Sequence, residues 1–156
     1  MWPLITLYRA GDGVHDGRAF KPIALVVEDD PDQRELLTLL LEESELHLFS
    51  CESAEAALRI LDKYGSGISL IVTDVQLAGA LTGADLAQIA KQRYPDLSVI
   101  VTSGSAKPKL PSDTVFMPKP WRAVEILKQA ERVQWWTGAW IVNPDRNLGH
   151  RPTFVR

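Results

Sequence analysis

The chain has 156 residues, 24% charged and 46% apolar, and a formal net charge of −3, which fits one ordinary globular domain with some length to spare. The acidic balance argues against a general nucleic-acid footprint, and a single cysteine, Cys51, excludes an internal disulfide or a thiolate metal cluster. No apolar run approaches a membrane span, and the start lacks a basic segment followed by a long apolar core, so no signal peptide is read and a cytoplasmic setting is expected.

Residues 1–21 read as an N-terminal extension, with Gly11, Gly13 and Gly17 among Asp12, Asp16 and Arg18 in a linker-like composition. A strand is expected over about 23–28. Asp30 then caps a helix, Pro31 suits its first position, and Gln33 completes a box-like spacing. That helix runs to about Ser44 with a broad face of Leu36, Leu37, Leu39, Leu40 and Leu41. Leu46–Cys51 is the second strand, and Ser53 caps a helix that ends near Gly65. Ile68–Asp74 is the third strand, apolar and β-branched until it ends on a carboxylate. A loop follows to Gly83, and Thr82 and Asp85 are spaced as cap and third residue of the next helix, which stops before Pro95. Leu97–Thr102 is the fourth strand. Pro108 and Pro111 make the segment 106–114 poor helix material. Val115–Met117 is a brief fifth strand, and a last helix from about Trp121 to Gln134 carries Val124, Leu127 and Ala130 on one side.

Strands and helices alternate five times, which calls for a parallel sheet with helices on both faces. The first and third strands both run into acid: Glu28, Asp29 and Asp30 in one case, Asp74 in the other. Parallel strands point the same way, so these carboxylates meet at the sheet edge where such folds bind ligands. Several carboxylates in one crevice repel each other unless a cation sits among them, and hard oxygen ligands suit Mg²⁺. The plain alternative is that these acids only solvate and cap the strand ends.

Val26–Pro31, Thr73–Leu77, Val99–Gly104 and Met117–Pro120 are four motifs in order, each at a strand end. Together they resemble the receiver domain of two-component response regulators over residues 22–134. The resemblance implies an α/β, doubly wound five-stranded parallel sheet of order 2-1-3-4-5, a flavodoxin-like arrangement. It implies that Asp74 is the phosphoacceptor. Asp29 would be the direct Mg²⁺ ligand, with Glu28 beside it and the Gln76 backbone carbonyl completing the protein's share of the shell. Lys119 and Ser103 would be the conserved-type lysine and switch hydroxyl, Phe116 the switch aromatic, and Lys119–Pro120 a cis bond. Alternation puts Thr102 within the strand and Ser103 at its end, which favours Ser103 over its neighbour. The plain alternative for Lys119 is a surface lysine before a turn.

Three departures stand out. The loop from Asp74 to Gly83 is one residue longer than the family's usual pattern, with Ala78 in place of its proline. Ser103 and Lys119 are close in sequence, so the fourth helix is expected to be shortened or missing. Phe116 replaces the more familiar tyrosine, which leaves rotamer switching but no hydroxyl for readout. Only the Trp-containing tail, 135–156, follows the receiver, too little for an output domain of ordinary size. The expectation is therefore a stand-alone phosphoryl carrier and switch, with no enzyme activity beyond its own phosphorylation and slow dephosphorylation. A histidine kinase or histidine phosphotransfer protein would be the donor, a downstream protein the target, and neither nucleic acid nor membrane a partner. Trp135, Trp136 and Trp140 either pack back onto the domain, lie loose or anchor an interface. The rival functions are a phosphorylation-independent receiver-like binding module, and an aspartyl-phosphate phosphatase. The latter usually needs a second aspartate where this chain has Gln76. Gly104 leaves room beside the acceptor, which favours entry of water or a second phosphotransfer partner.

Overall fold

The computed structural model describes residues 22–141, with side chains through residue 133; the expected extension at 1–21 and the end of the tail lie outside them, as do the tail's tryptophan side chains. Its elements are β1 (Ile23–Val27), α1 (Pro31–Glu42), β2 (His47–Cys51), α2 (Ala54–Tyr64), a short 3₁₀ turn (Gly65–Gly67), β3 (Ile68–Asp74), α3 (Gly83–Arg93), β4 (Ser98–Ser103), β5 (Val115–Pro118) and α4 (Ala123–Ile141). The strands form one parallel sheet in the order β2-β1-β3-β4-β5.

β1 is buried along its whole length, as expected for a strand covered on both faces. Its alternation divides the core. Ile23, Leu25 and Val27 join Ala57, Leu61, Leu86 and Ala90 from α2 and α3. Ala24 and Val26 join Leu37 and Leu41 of α1 and Ile126, Ala130 and Val133 of α4. Each large aliphatic side chain withdrawn from water this way contributes about 2 kcal/mol.

The helix starts follow local chemistry. Asp30 Oδ1 accepts from Gln33 N at 3.0 Å, and Ser53 Oγ from Ala56 N at 3.1 Å. Thr82 and Asp85 form a complete reciprocal box. The box expected at Asp30 is only half formed: Glu28 Oε1, not Gln33, accepts from Asp30 N at 3.2 Å.

Two helix faces differ from expectation. Leu36 and Leu39 of α1 are 57% and 55% exposed, whereas Leu37 and Leu41 are buried. Leucines spread over six consecutive positions cover far more than the stripe a sheet can take up; the i, i+4 pair Leu37 and Leu41 faces it, with Leu40 packed at its margin. In α4 the buried stripe is Ile126, Ala130 and Val133, while Val124 is exposed; the helix also continues to Ile141 rather than stopping near Gln134. Ile126→Ala should therefore lower stability by about 3 kcal/mol, and Val124→Ala by less than about 0.5 kcal/mol, measured by chemical denaturation. Equal losses would contradict this orientation.

Between β4 and β5, residues 104–114 form no helix. Parallel strands normally return through one, but two prolines and eleven residues leave this connection irregular. Leu110 and Phe116 pack instead against the edge of the core on the α2 and α3 side.

Candidate functional site

Strand register brings the acids together. Val27 pairs with Thr73, so Glu28 leaves β1 beside Asp74 at the end of β3. Asp74 pairs with Thr102, and Ser103 with Pro118, which places Ser103 and Lys119 at the same edge. The peptide between them closes the site further: Lys119 N donates to Ser103 O at 2.7 Å. Lys119–Pro120 is cis.

Lys119 is the hub. Its Nζ donates to Asp74 Oδ2 at 2.7 Å and to Gln33 Oε1 at 2.7 Å, and lies 3.6 Å from Glu28 Oε2. Asp74 Oδ1 accepts from Gln76 N at 3.2 Å. Ser103 is buried, and its Oγ accepts from Ser105 N at 3.0 Å. Phe116 is half-buried one strand further out, against the hydrophobic core, and makes no polar contact with the acids. A Cβ built on Gly104 would meet nothing within 4 Å, so the space expected there is present.

Glu28, Asp29 and Asp74 each place one carboxylate oxygen within 4.8 Å of the others. Glu28 is only 1% exposed, and its buried Oε2 has no hydrogen-bond partner. Lys119 Nζ comes no nearer to it than 3.6 Å, which leaves this oxygen a place for a second, closer cation. The group contains only hard oxygen donors, which fits Mg²⁺ and not a soft metal.

The electrostatics agree. Burial pushes the Glu28 carboxyl up to about 7; the Asp30 N–H and Lys119 oppose the rise, and the Asp74 charge adds to it. Burial alone would lower Lys119, but its hydrogen bond to Asp74 and the charges of Glu28 and Asp74 outweigh burial and hold it above the ordinary lysine value. Because the folded value of Glu28 lies above its ordinary 4.5, the metal-free fold is favoured below that range and loses stability as pH rises through about 7. A bound cation needs the ionised form. Mg²⁺ affinity should therefore rise about tenfold from pH 6 to pH 8, by calorimetric titration; a flat profile would contradict a buried Glu28 in the site.

Sequence reading missed three participants. The spacing of Gln33 suits capping, yet its side-chain oxygen accepts from Lys119 Nζ. Arg34 Nη1 donates to the Glu28 backbone oxygen at 2.8 Å, steadying the residue between β1 and the pocket. Glu55 Oε1 accepts from Ala80 N at 2.9 Å and Leu81 N at 3.0 Å, across to the loop after Asp74. No local motif marks the contacts of Gln33 and Glu55, whose partners lie far away in the chain. His47 is an exposed residue of β2. Cys51 is half-buried rather than fully buried, and burial raises its thiol to about 11.

Comparison with known proteins gives a consistent picture. The family model described as "Response regulator receiver domain" matches residues 24–130. The response regulator receiver protein CpdR of Brucella abortus (strain 2308) is 27% identical over 115 residues, covering 70% of this chain and 93% of that protein. Among solved structures, a response regulator receiver protein from Sinorhizobium medicae WSM419 superposes with a TM-score of 0.68 at 17% identity, covering 75% of this chain and 97% of that one. The signal receiver domain of a putative Luxo repressor protein from Vibrio parahaemolyticus gives 0.66 at 19% identity, over 81% and 99%. At these identities the structural likeness speaks for the fold alone.

Proposed function

The chain belongs to the response regulator receiver domain family, and from that premise we propose that it takes a phosphoryl group from a phosphohistidine donor onto Asp74, with Mg²⁺, and thereby switches protein contacts. The donor would be a histidine kinase or histidine phosphotransfer protein in the cytoplasm. The observation that carries this reading is the Lys119 ammonium, which joins Asp74 at 2.7 Å and approaches Glu28 at 3.6 Å at one end of the sheet.

The chemistry is a displacement at phosphorus. An Asp74 carboxylate oxygen forms the new O–P bond as the donor's N–P bond breaks, and the leaving imidazole takes up a proton. Asp74 is a weak nucleophile facing an anionic group, so catalysis rests on charge neutralisation and alignment. Glu28, Asp29, Asp74 and the Gln76 carbonyl would hold Mg²⁺, which would supply charge neutralisation and in-line orientation. Lys119 now donates to Asp74 and can turn its point charge to a phosphoryl oxygen. Ser103 Oγ already accepts from Ser105 N, which leaves its own proton free to donate. A Ser103 drawn inward makes room for the half-buried Phe116 ring to follow, a two-state element biased by one covalent event. Hydrolysis by water later returns the carboxylate and releases inorganic phosphate. The chain thus acts once per phosphoryl group and turns over no separate substrate.

Intact mass measurement after incubation with acetyl phosphate tests this. A gain of one phosphoryl group that requires Mg²⁺ and disappears with a chelator is expected. No gain would favour a receiver-like module that binds partners without phosphorylation.

A further inference from the structure

We propose that Glu55 is a positioning residue for the acceptor loop: from the first turn of α2 it clamps residues 78–81 and so sets Gln76 beside the carboxylates. The proposal rests on the Mg²⁺ reading above for what Gln76 does, but the clamp itself stands on contacts within the chain.

The loop from Val75 to Thr82 is long for a connection that must present one backbone carbonyl accurately, and it lacks a proline that would stiffen it. Its base is closed by two contacts. Gly83 N donates to Val75 O at 2.8 Å, and a Cβ on Gly83 would lie only 1.8 Å from Asp74 O, so backbone packs on backbone there. The tip is held from outside. Glu55 Oε1 accepts from both Ala80 N and Leu81 N, and Ser53 pairs with Ala78 in an isolated parallel bridge.

Gly79 fits this clamp for two reasons. Its φ is +96°, a conformation L side chains rarely adopt, and a Cβ there would stand 2.6 Å from Glu55 Oε2. Glu55 Oε2 is itself buried without a hydrogen-bond partner, and it lies where a side chain at 79 would begin. Carboxylate-to-amide bonds of this kind are stronger than neutral ones. The family's usual proline is replaced by Ala78, and a side chain from the neighbouring helix takes over the task of limiting the loop.

The test uses the full chain with Glu55→Ala, Glu55→Gln and Gly79→Ala. Hydrogen exchange without metal should be faster at Ala80 and Leu81 in Glu55→Ala and Gly79→Ala, with Glu55→Gln between them and the parent because its amide oxygen still accepts. Mg²⁺ affinity by calorimetry should fall about tenfold in Glu55→Ala, be partly rescued in Glu55→Gln, and fall likewise in Gly79→Ala. Parent-like exchange and Mg²⁺ affinity in both Glu55→Ala and Gly79→Ala would overturn the proposal; should Glu55→Ala not fold, Glu55→Gln and Gly79→Ala decide it. Failure of the unaltered chain to take up phosphoryl would instead sink the phosphorylation reading, and would leave the exchange result intact.

Discussion

Asp74→Asn should abolish phosphoryl uptake from acetyl phosphate while leaving the fold in place. The amide is nearly isosteric with the carboxylate. Its oxygen can still accept from Lys119 Nζ, as Asp74 Oδ2 does at 2.7 Å. The variant therefore loses the anionic nucleophile without opening a cavity. It also removes one of the charges that raise Glu28, so Glu28 should titrate lower than in the parent, and melting should shift by only a few degrees. A variant that still gained a phosphoryl group would move the acceptor elsewhere. One that unfolded would show Asp74 to be structural first.

Lys119→Ala should show the opposite pattern in its two measurements. Phosphoryl uptake should slow about 10²-fold, the usual loss when a preorganised electrostatic stabiliser is removed. Mg²⁺ binding should tighten, because the ammonium no longer occupies Asp74 Oδ2 or stands 3.6 Å from Glu28 Oε2. The tightening should be greatest at pH 8, since loss of the Lys119 charge raises Glu28 further. Weaker Mg²⁺ binding with unchanged uptake would return Lys119 to an ordinary surface role. A general loss of structure cannot imitate tighter metal binding combined with slower chemistry.

How much of this was legible in the sequence depends on how local each signal is. β3 was read to the residue because a buried parallel strand needs an unbroken apolar run, and Ile68–Asp74 has one that stops on its functional carboxylate. The caps at Asp30, Ser53 and Thr82 were legible for the same reason: each lies three residues from its partner. The missing helix between β4 and β5 followed from two prolines in a short connection.

Side-chain choices set by tertiary contacts were not legible. The spacing of Gln33 promises a return to Asp30, but the half-buried Lys119 ammonium offers a stronger partner than a backbone amide, and Glu28 serves Asp30 instead. The apolar faces of α1 and α4 were drawn too broadly or one step out, since composition does not say which i, i+4 pair meets the sheet. Glu55 reads in sequence as an ordinary first-turn acid. Only the fold brings it to the loop after Asp74, where it takes over a constraint that the family pattern assigns to proline.

The most direct test is to locate the phosphoryl group. Borohydride reduction of the chain after treatment with acetyl phosphate and Mg²⁺ converts an acyl phosphate to an alcohol, and peptide sequencing then finds it. The account predicts homoserine at position 74 and an unmodified Glu28 and Asp29. A reduced residue at 28 or 29, or none anywhere, would contradict it.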